Sequence, residues 1–537
     1  MPDTIKVGDK WYISASAARS DERAQMLKHN ETFAVLDRYG DMRAFGAGGE
    51  GLYRGDTRFL SHQQLLIDGV RPLFLNCNLK EDNSLLVVEL MNPDLGREGD
   101  PAINKGNIHI FRAKLLWQSV CYEHVRIRNY GLASVTLTLQ LRYSADYLDI
   151  FEVRGVKRAR RGEALPAETL PAGVVLGYRG LDGITRRTHL EFDPAPAAHT
   201  ADEAAFTYTL APGAEDHLYC TMACELDGEP RSAHGDYVAA LRASTENRRV
   251  EGEGRCRIET SNPLFDLWLE RSTSDLAMLT TTLPQGPYPY AGVPWYSTTF
   301  GRDGILTARE YLWFDPALAR GVLAFLAATQ ATTVSNERDA EPGKILHEAR
   351  HGEMANCSEV PFGRYYGTVD ATPLFVGLAG AYHARTGDLD FIRSIWPHIE
   401  LALEWIDRYG DADGDGFVEY SRRSKDGLEQ QGWKDSPDSV FHADGRLAEP
   451  PIALCEVQGY VYDAKLSAAG LARCLGHAER AATLLADAHE LKRRFDDAYW
   501  SEAIGHGGRL VVVDDPGPEA VPHVRRAGVD GSLVGVE

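Results

Sequence analysis

Between about residues 30 and 225, apolar and polar side chains alternate with a period of two. The stretches "ETFAVLDRYGD", "QQLLIDGV", "SLLVVEL", "VTLTLQLRYSADY" and "HLEFD" carry this alternation and break at Gly, Asp, Asn or Pro. That is the pattern of strands with one wet and one buried face. Helical spacing is weak throughout. Many short strands separated by turns predict a large β-sandwich domain over residues 1–228.

The period changes after about residue 230. "SAHGDYVAALRASTENRRV" reads as a linking helix within 229–255, and from residue 261 apolar residues recur every three or four positions. The spacing predicts helices over 262–282, 302–315, 317–333, 369–386, 389–409, 455–474 and 476–498. Ser261 and Asn262 before "PLFDLW", and Asp315 before Pro316, are helix-start signals. Between these helices lie long loops with Gly, Pro, His, Trp and charged residues, and such loops on a helical scaffold commonly carry function. Seven helices with alternating short and long connections predict the first part of a helical toroid over 256–500. The long loops of such a toroid meet at one end and line a pocket.

Composition narrows the partners. The 537 residues exceed one ordinary core, and 44% hydrophobic with 25% charged is the make-up of a folded protein. A formal net charge of −21 argues against a nucleic-acid backbone or an anionic membrane and is compatible with a neutral, polyhydroxyl substrate. The eight cysteines form no CxxC pair or Cys/His cluster, so buried thiols are expected rather than a zinc site. "MPDTIKVGDKWYIS" holds no apolar leader core and no run of roughly 18 apolar residues occurs, which makes the cytoplasm the expected compartment.

Four loops hold the candidate chemistry. "YPYAGVPWYSTTFGRDGILTARE" (288–310) places Tyr288, Tyr290, Trp295 and Tyr296 ahead of Arg302 and Asp303 at a helix start. Aromatic faces suit the apolar face of a sugar ring, and an Arg–Asp pair grips vicinal hydroxyls by charge-assisted hydrogen bonds. The plainer alternative is an aromatic mini-core, with Asp303 complementing the helix N-terminus. "ILHEARHGEMA" (345–355) sets Glu348 and Glu353 on either side of Arg350, as a binding network or as an ion pair of small worth. In "YYGTVDATPLF" (365–375), Asp370 and Thr372 are expected to cap the next helix.

The fourth loop, "QGWKDSPDSV" (431–440), carries Trp433, Lys434, Asp435 and Asp438. Glycoside hydrolysis needs a protonated carboxyl beside the leaving oxygen and a second carboxylate across the ring. Desolvation by Trp433 would hold a proton on Asp435 nearer neutral pH, and an inward-pointing Lys434 would oppose it. Asp438 is the rival acid, and an Asx turn accounts for both aspartates without chemistry.

"DADGDGFVEY" (411–420) sets Asp411, Asp413, Asp415 and Gly416 at positions 1, 3, 5 and 6 of a calcium loop, with Glu419 at position 9. Position 12 is Arg422, where an EF-hand requires a bidentate Glu, so an EF-hand is excluded. The expected structure is an Asp/Gly turn into a short hairpin with no metal. A calcium loop of another kind at the three aspartates is the alternative.

With these loops in place, the chain resembles the bacterial amylo-α-1,6-glucosidase, or glycogen-debranching-like, proteins over nearly its whole length. "GLYRGDTRFLS" (51–61) is similar to the signature of their N-terminal domain. "AGVPWYSTTFGRDG" (291–304), "ILHEARHGEMA", "YYGTVDATPLF", "DADGDGFVEY" and "QGWKDSPDS" are similar to successive loops of their catalytic (α/α)6 toroid. The resemblance implies an intracellular, inverting glycoside hydrolase acting on α-glucans or oligosaccharides, with acid and base about 6.5–9.5 Å apart. It also implies that the acid comes from the loop between the fifth and sixth helices, which here holds Asp435. Arg302, Asp303 and Trp433 would then hold the terminal sugar, with Trp295, Tyr296, Glu348, Arg350, Glu353, Asp370 and Lys434 around it. No cofactor is implied. A glycoside phosphorylase and a non-catalytic sugar-binding remnant are the alternatives.

The departure from the family lies near the other end. A full toroid has twelve helices, with the base between the last two, and no residue here matches the base motif. Residues 501–537 contain no aromatic and no lysine. The expectation is a shifted reading frame or truncated gene after about residue 500, leaving an acid without its base and an incomplete toroid with exposed apolar helix faces; a natural disordered tail is the alternative.

Overall fold

A computed structural model describes residues 4–7, 10–13, 24–43, 48–96, 103–227, 229, 236–253, 256–442, 444–501 and 506–507. The tail read above as out of frame lies almost wholly outside the described residues.

The chain divides into two compact units. The first holds Met1–Thr281, Gly292–Ser297 and His351–Cys357, and the second holds Thr282–Ala291, Thr298–Arg350 and Ser358–Glu537. The expected boundary near residue 255 thus moves, because helix Pro263–Leu279 goes with the β-rich unit. Lys28 Nζ donates to the Leu279 carbonyl at 3.2 Å and to the Thr281 hydroxyl at 2.9 Å, and Asn83 donates to Asp275 at 2.7 Å. None of this helix's residues is buried, and Leu264 (76%) and Trp268 (60%) are largely exposed.

Period-two alternation builds the first unit. Strand Val135–Ser144 points Leu137, Leu139, Leu141 and Tyr143 into the interior and its intervening residues outward. It lies between Glu203–Leu210 and His62–Ile67 in a five-stranded antiparallel sheet. An eight-stranded sheet has Glu215–Leu226, Val120–Asn129 and Ile108–Trp117 side by side at its centre. The two sheets share one apolar core, in which Leu139 and Leu141 join Ile110, Val125 and Met222. The predicted linking helix forms as Tyr237–Gly252, capped by Asp236, and packs Tyr237 and Ala240 onto Leu115, Val120 and Tyr122.

A buried polar cluster crosses the sandwich interior. Glu123 accepts from Arg112 Nε at 2.8 Å, Lys114 Nζ at 2.7 Å and Gln63 Nε2 at 2.8 Å, while Arg112 Nη1 donates to Asp41 at 2.6 Å. The expectation of buried thiols holds for Cys121, Cys220 and Cys224, whereas Cys256 and Cys474 are exposed and Cys77, Cys357 and Cys455 are intermediate.

Helical spacing builds the second unit from Gly301–Glu310, Pro316–Thr329, Ala371–Thr386, Leu389–Arg408, Cys455–Leu475 and Ala478–Tyr499. Asp315 caps as expected, accepting from Ala317 N–H, with Pro316 at the first helical position. Helix Gly301–Glu310 ends five residues before its predicted stop, with Tyr311 as its C-cap, and Asp315, which precedes a proline, is extended. Inward faces meet in a second core containing Leu323, Phe375, Leu378, Ile399, Leu403 and Val461. Among the described residues, no helix is long and apolar enough to cross a membrane.

Candidate active site

The site is assembled at the buried start of helix Gly301–Glu310. Strand Thr299–Phe300 pairs with Glu348–Ala349, and Gly301 N–H donates to the His347 carbonyl at 2.9 Å. A Cβ at Gly301 would lie 1.9 Å from the Leu346 carbonyl oxygen, so only glycine lets the helix start this close to its neighbour. The helix therefore presents Arg302 and Asp303 in its first turn.

Arg302 gathers three segments. Its Nη1 donates to Asp370 Oδ2 at 3.0 Å and to the Gly432 carbonyl at 2.8 Å, and its Nη2 donates to Asp435 Oδ2 at 3.1 Å. Asp370 also accepts from the Thr368 hydroxyl at 2.5 Å. Asp370 occupies the N-cap position of Ala371–Thr386 but makes no capping hydrogen bond, because its carboxylate turns to Arg302 and Thr368 instead. Thr372 does not cap either; its hydroxyl accepts from Ile345 N–H at 3.0 Å.

Charge is concentrated here. Burial pushes Asp303 up from its ordinary value; Arg302 pulls it back, and Asp370 and Asp435 push it further up. Burial works against the charge on Arg302, but Asp370, Asp303 and Asp435 more than offset this and raise it. His347 sits behind the pair between the rings of Phe300 (5.6 Å) and Tyr365 (5.8 Å). Burial first, then Arg302, Arg350 and Lys344, hold it down to about 3, so it is a neutral imidazole.

The predicted residues separate into two groups. Asp303, Asp370 and Asp435 surround Arg302, while Glu348 and Arg350 form a buried pair at 2.8 Å on the adjoining short strand. Asp435 is 44% exposed at its side chain and Trp433 is 54% exposed, so Arg302, not the indole, is the group found at the carboxylate. Lys434 and Asp438 are exposed. Trp295, Tyr296 and Glu353 belong to the first unit. There the guanidinium of Arg154 lies 5.8 Å from the centre of the Tyr296 ring. Glu353 accepts from Arg158 at 3.2 Å, Tyr178 at 2.8 Å and Leu181 N–H at 2.8 Å, so its lone pairs serve the packing of that unit.

Two family models match the chain in succession. Residues 27–221 match the N-terminal domain of some glycogen debranching enzymes, and residues 296–516 match the mannosylglycerate hydrolase MGH1-like glycoside hydrolase domain. The chain carries both domains. None of the curated proteins matches it by sequence. A solved structure assigned as a kojibiose phosphorylase from the human microbiome is similar at 10% identity and TM-score 0.58, over 87% of this chain and 67% of that one. A bacterial glucoamylase complexed with acarbose is similar at 11% identity and TM-score 0.52, over 90% of this chain and 68% of that one. At this identity the likeness concerns the fold, which is a β-rich part followed by helices of the (α/α)6 glycosidase type.

Within the glycoside hydrolase domain, the structure adds residues not singled out from the sequence. Glu456, in the first turn of Cys455–Leu475, brings its carboxylate to within 4.0 Å of where a Cβ on Gly432 would stand. Tyr460 lies one turn along the same helix, and its hydroxyl is pushed up by burial, then by Glu456 and Asp370. The spacing of four on a helix start was the available signal. Asp339 ties the loops behind the site: it accepts from Tyr365 Oη at 2.7 Å, Arg423 N–H at 2.7 Å, Ser424 N–H at 2.9 Å and Gln431 Nε2 at 3.3 Å. An Asp339→Asn variant has one acceptor oxygen for these buried donors and is expected to lose about 2 kcal/mol of stability. Equilibrium urea unfolding tests this, and an unchanged midpoint would refute it.

Proposed function

We propose that the protein cleaves α-glucosidic bonds in an oligosaccharide or α-glucan by an inverting displacement. Asp435 is the general acid in this reading, and Arg302, Asp303 and Trp433 hold the terminal sugar. The supporting observation is the convergence of Asp370, the Gly432 carbonyl and Asp435 on Arg302. It makes a half-open array of charged donors and acceptors on the same loop as the exposed Trp433, and such a set suits a ring with an apolar face and vicinal hydroxyls.

Before it transfers a proton, Asp435 must be released from Arg302. A sugar hydroxyl that accepts from Nη2 takes the place of Oδ2, and that oxygen, after taking a proton from solvent, donates it to the glycosidic oxygen. The reading assigns the acid alone; the second carboxylate, which activates water across the ring, is left unassigned.

Inverting hydrolysis of an α-linked substrate releases β-glucose first. Proton NMR during the first minutes of reaction is expected to show the β anomer ahead of mutarotation, and α-glucose appearing first would overturn the mechanism. The likeness to the kojibiose phosphorylase favours a second reading, with phosphate in place of water. Release of sugar 1-phosphate that depends on added phosphate would establish it instead.

A further inference from the structure

The short hairpin expected after the Asp/Gly segment 411–416 is not formed among the described residues: Tyr420 makes an isolated bridge to Ile452 instead. The segment is closed by its own turns, with Asp411 accepting from Gly414 and Gly416 N–H and Asp413 from Asp415 N–H. A hollow of a different kind lies wholly within the first unit.

Two tight turns and two helices frame it. Asn30 and Asn83 hold φ of +52° and +55°, a left-handed geometry that asparagine tolerates, which keeps the turns after strands Gln25–His29 and Leu73–Leu79 short. Helix Tyr237–Gly252 adds Ser244, Thr245 and Arg248 to the wall, and helix Pro263–Leu279 adds Thr273, Ser274 and Ala277. The cavity measures about 320 Å³, inside the range of roughly 300–1,000 Å³ that small-molecule sites occupy.

Its polar lining suits hydroxyls better than a charge. Trp117 and His29 stand side by side, with rings 4.5 Å apart and inclined at 49°, and both line the cavity half-buried. His29 Nδ1 accepts from Gln118 N–H at 3.2 Å. Burial, then Lys28 and Arg248, hold the ring down to about 4, so it is neutral and carries its proton on Nε2 as a donor. The hydroxyls of Thr245 and Thr273 donate to the Leu241 and Leu269 carbonyls at 2.8 Å each, which leaves their oxygens as acceptors. Asn83, also on the wall, is 5% exposed; its Nδ2 donates to Asp275 at 2.7 Å, and its Oδ1 is buried with no hydrogen-bond partner. A hydroxyl reaching that oxygen would remove the cost of leaving it unpaired.

The cations of the wall are answered from within. Lys28 bonds to the Leu279 carbonyl and Thr281, Arg249 pairs with Glu246 and Glu253, and Arg248 Nε lies 3.9 Å from Asp82. An anion entering here would meet acceptors and the Asp82 carboxylate. A sugar ring gives and takes hydrogen bonds at once and lays its apolar C–H face on aromatic groups. We propose that this cavity is a second sugar site, holding a ring or two of a neutral oligosaccharide against Trp117 and His29. It rests on the reaction proposed above only for the choice of an α-linked probe.

The test uses the full chain carrying 5-fluorotryptophan, with the Trp117 fluorine resonance assigned from Trp117→Phe. Maltotriose is expected to move that resonance saturably with Kd of about 1 mM or tighter, and inorganic phosphate at about 20 mM to leave it in place. Ala277→Phe fills the hollow from its helix wall and is expected to weaken the response at least about tenfold. Ser274→Leu gives the same comparison if that variant folds poorly. Asp435→Asn is expected to respond as the wild type does, which separates this cavity from the active site. A shift with cellotriose and none with maltotriose would support the cavity while counting against the α-glucosidic reading. No shift with either trisaccharide, an equal shift with phosphate, loss of the response in Asp435→Asn, or an undiminished response in a folded cavity-filling variant would each overturn the proposal.

Discussion

Asp435→Asn is expected to lower kcat on a natural α-linked oligosaccharide by about a thousandfold, since general acid catalysis is commonly worth 10²–10⁴. The loss should shrink to about tenfold or less on α-glucosyl fluoride, whose leaving group departs without a proton. Structure should be spared: Arg302 keeps Asp370 and the Gly432 carbonyl when Asp435 loses its charge, and Asp435 is half exposed. Tm is therefore expected to stay within about 1 °C. Steady-state kinetics on both substrates decides the matter. Equal losses on the two, carried in KM, would mean that Asp435 grips the sugar with Arg302 and that another group donates the proton.

The largest stability effect is expected in the first unit, from Glu123→Ala. Glu123 is fully buried and answers Arg112, Lys114 and Gln63 at once. Removing it leaves two buried cations with one carboxylate, Asp41, and a loss of about 3–5 kcal/mol follows. The same group sets an acid limit. Burial pushes Glu123 up, but Arg112 and Lys114 outweigh burial and hold it at about 2, below its ordinary 4.5. Its contribution is thus complete above about pH 4.5 and lost as pH falls toward 2. Urea unfolding at pH 7 and pH 3 should show the gap between wild type and Glu123→Gln narrowing in acid. A gap that stays constant, or an Ala variant within about 0.5 kcal/mol of wild type, would refute this account.

Much of this architecture was legible because local rules decide it. Strand Val135–Ser144 follows from its alternation, and helix Pro316–Thr329 from the Asp315–Pro316 start, since both depend on neighbours in sequence. Asp370 shows where such rules fail. It stands at a helix start, as expected, yet its carboxylate goes to Arg302, 68 positions away, and Arg302 reaches a further partner 133 positions away at Asp435. Pairings of that range depend on the closed fold. "ILHEARHGEMA" makes the same point within eleven residues: Glu348 stays beside Arg350, while Glu353, three positions beyond Arg350, serves Arg158 and Tyr178. Trp433 adds a further case: it lies two positions from Asp435, yet its side chain is exposed and does not bury that carboxylate.

The alternation of the chain between its two units bears on how such a protein can be inherited. A recombination that swapped residues 1–281 for another protein's would deliver a β-rich unit without the short threads 292–297 and 351–357 that complete it. One thread brings Trp295, which fills the space above Gly49; the other brings Glu353, which closes on Arg158 and Tyr178. A foreign partner would supply neither, and Arg158 and Tyr178 would lose the carboxylate that they share. Exchanging the β-rich unit would therefore mean exchanging its two threads with it.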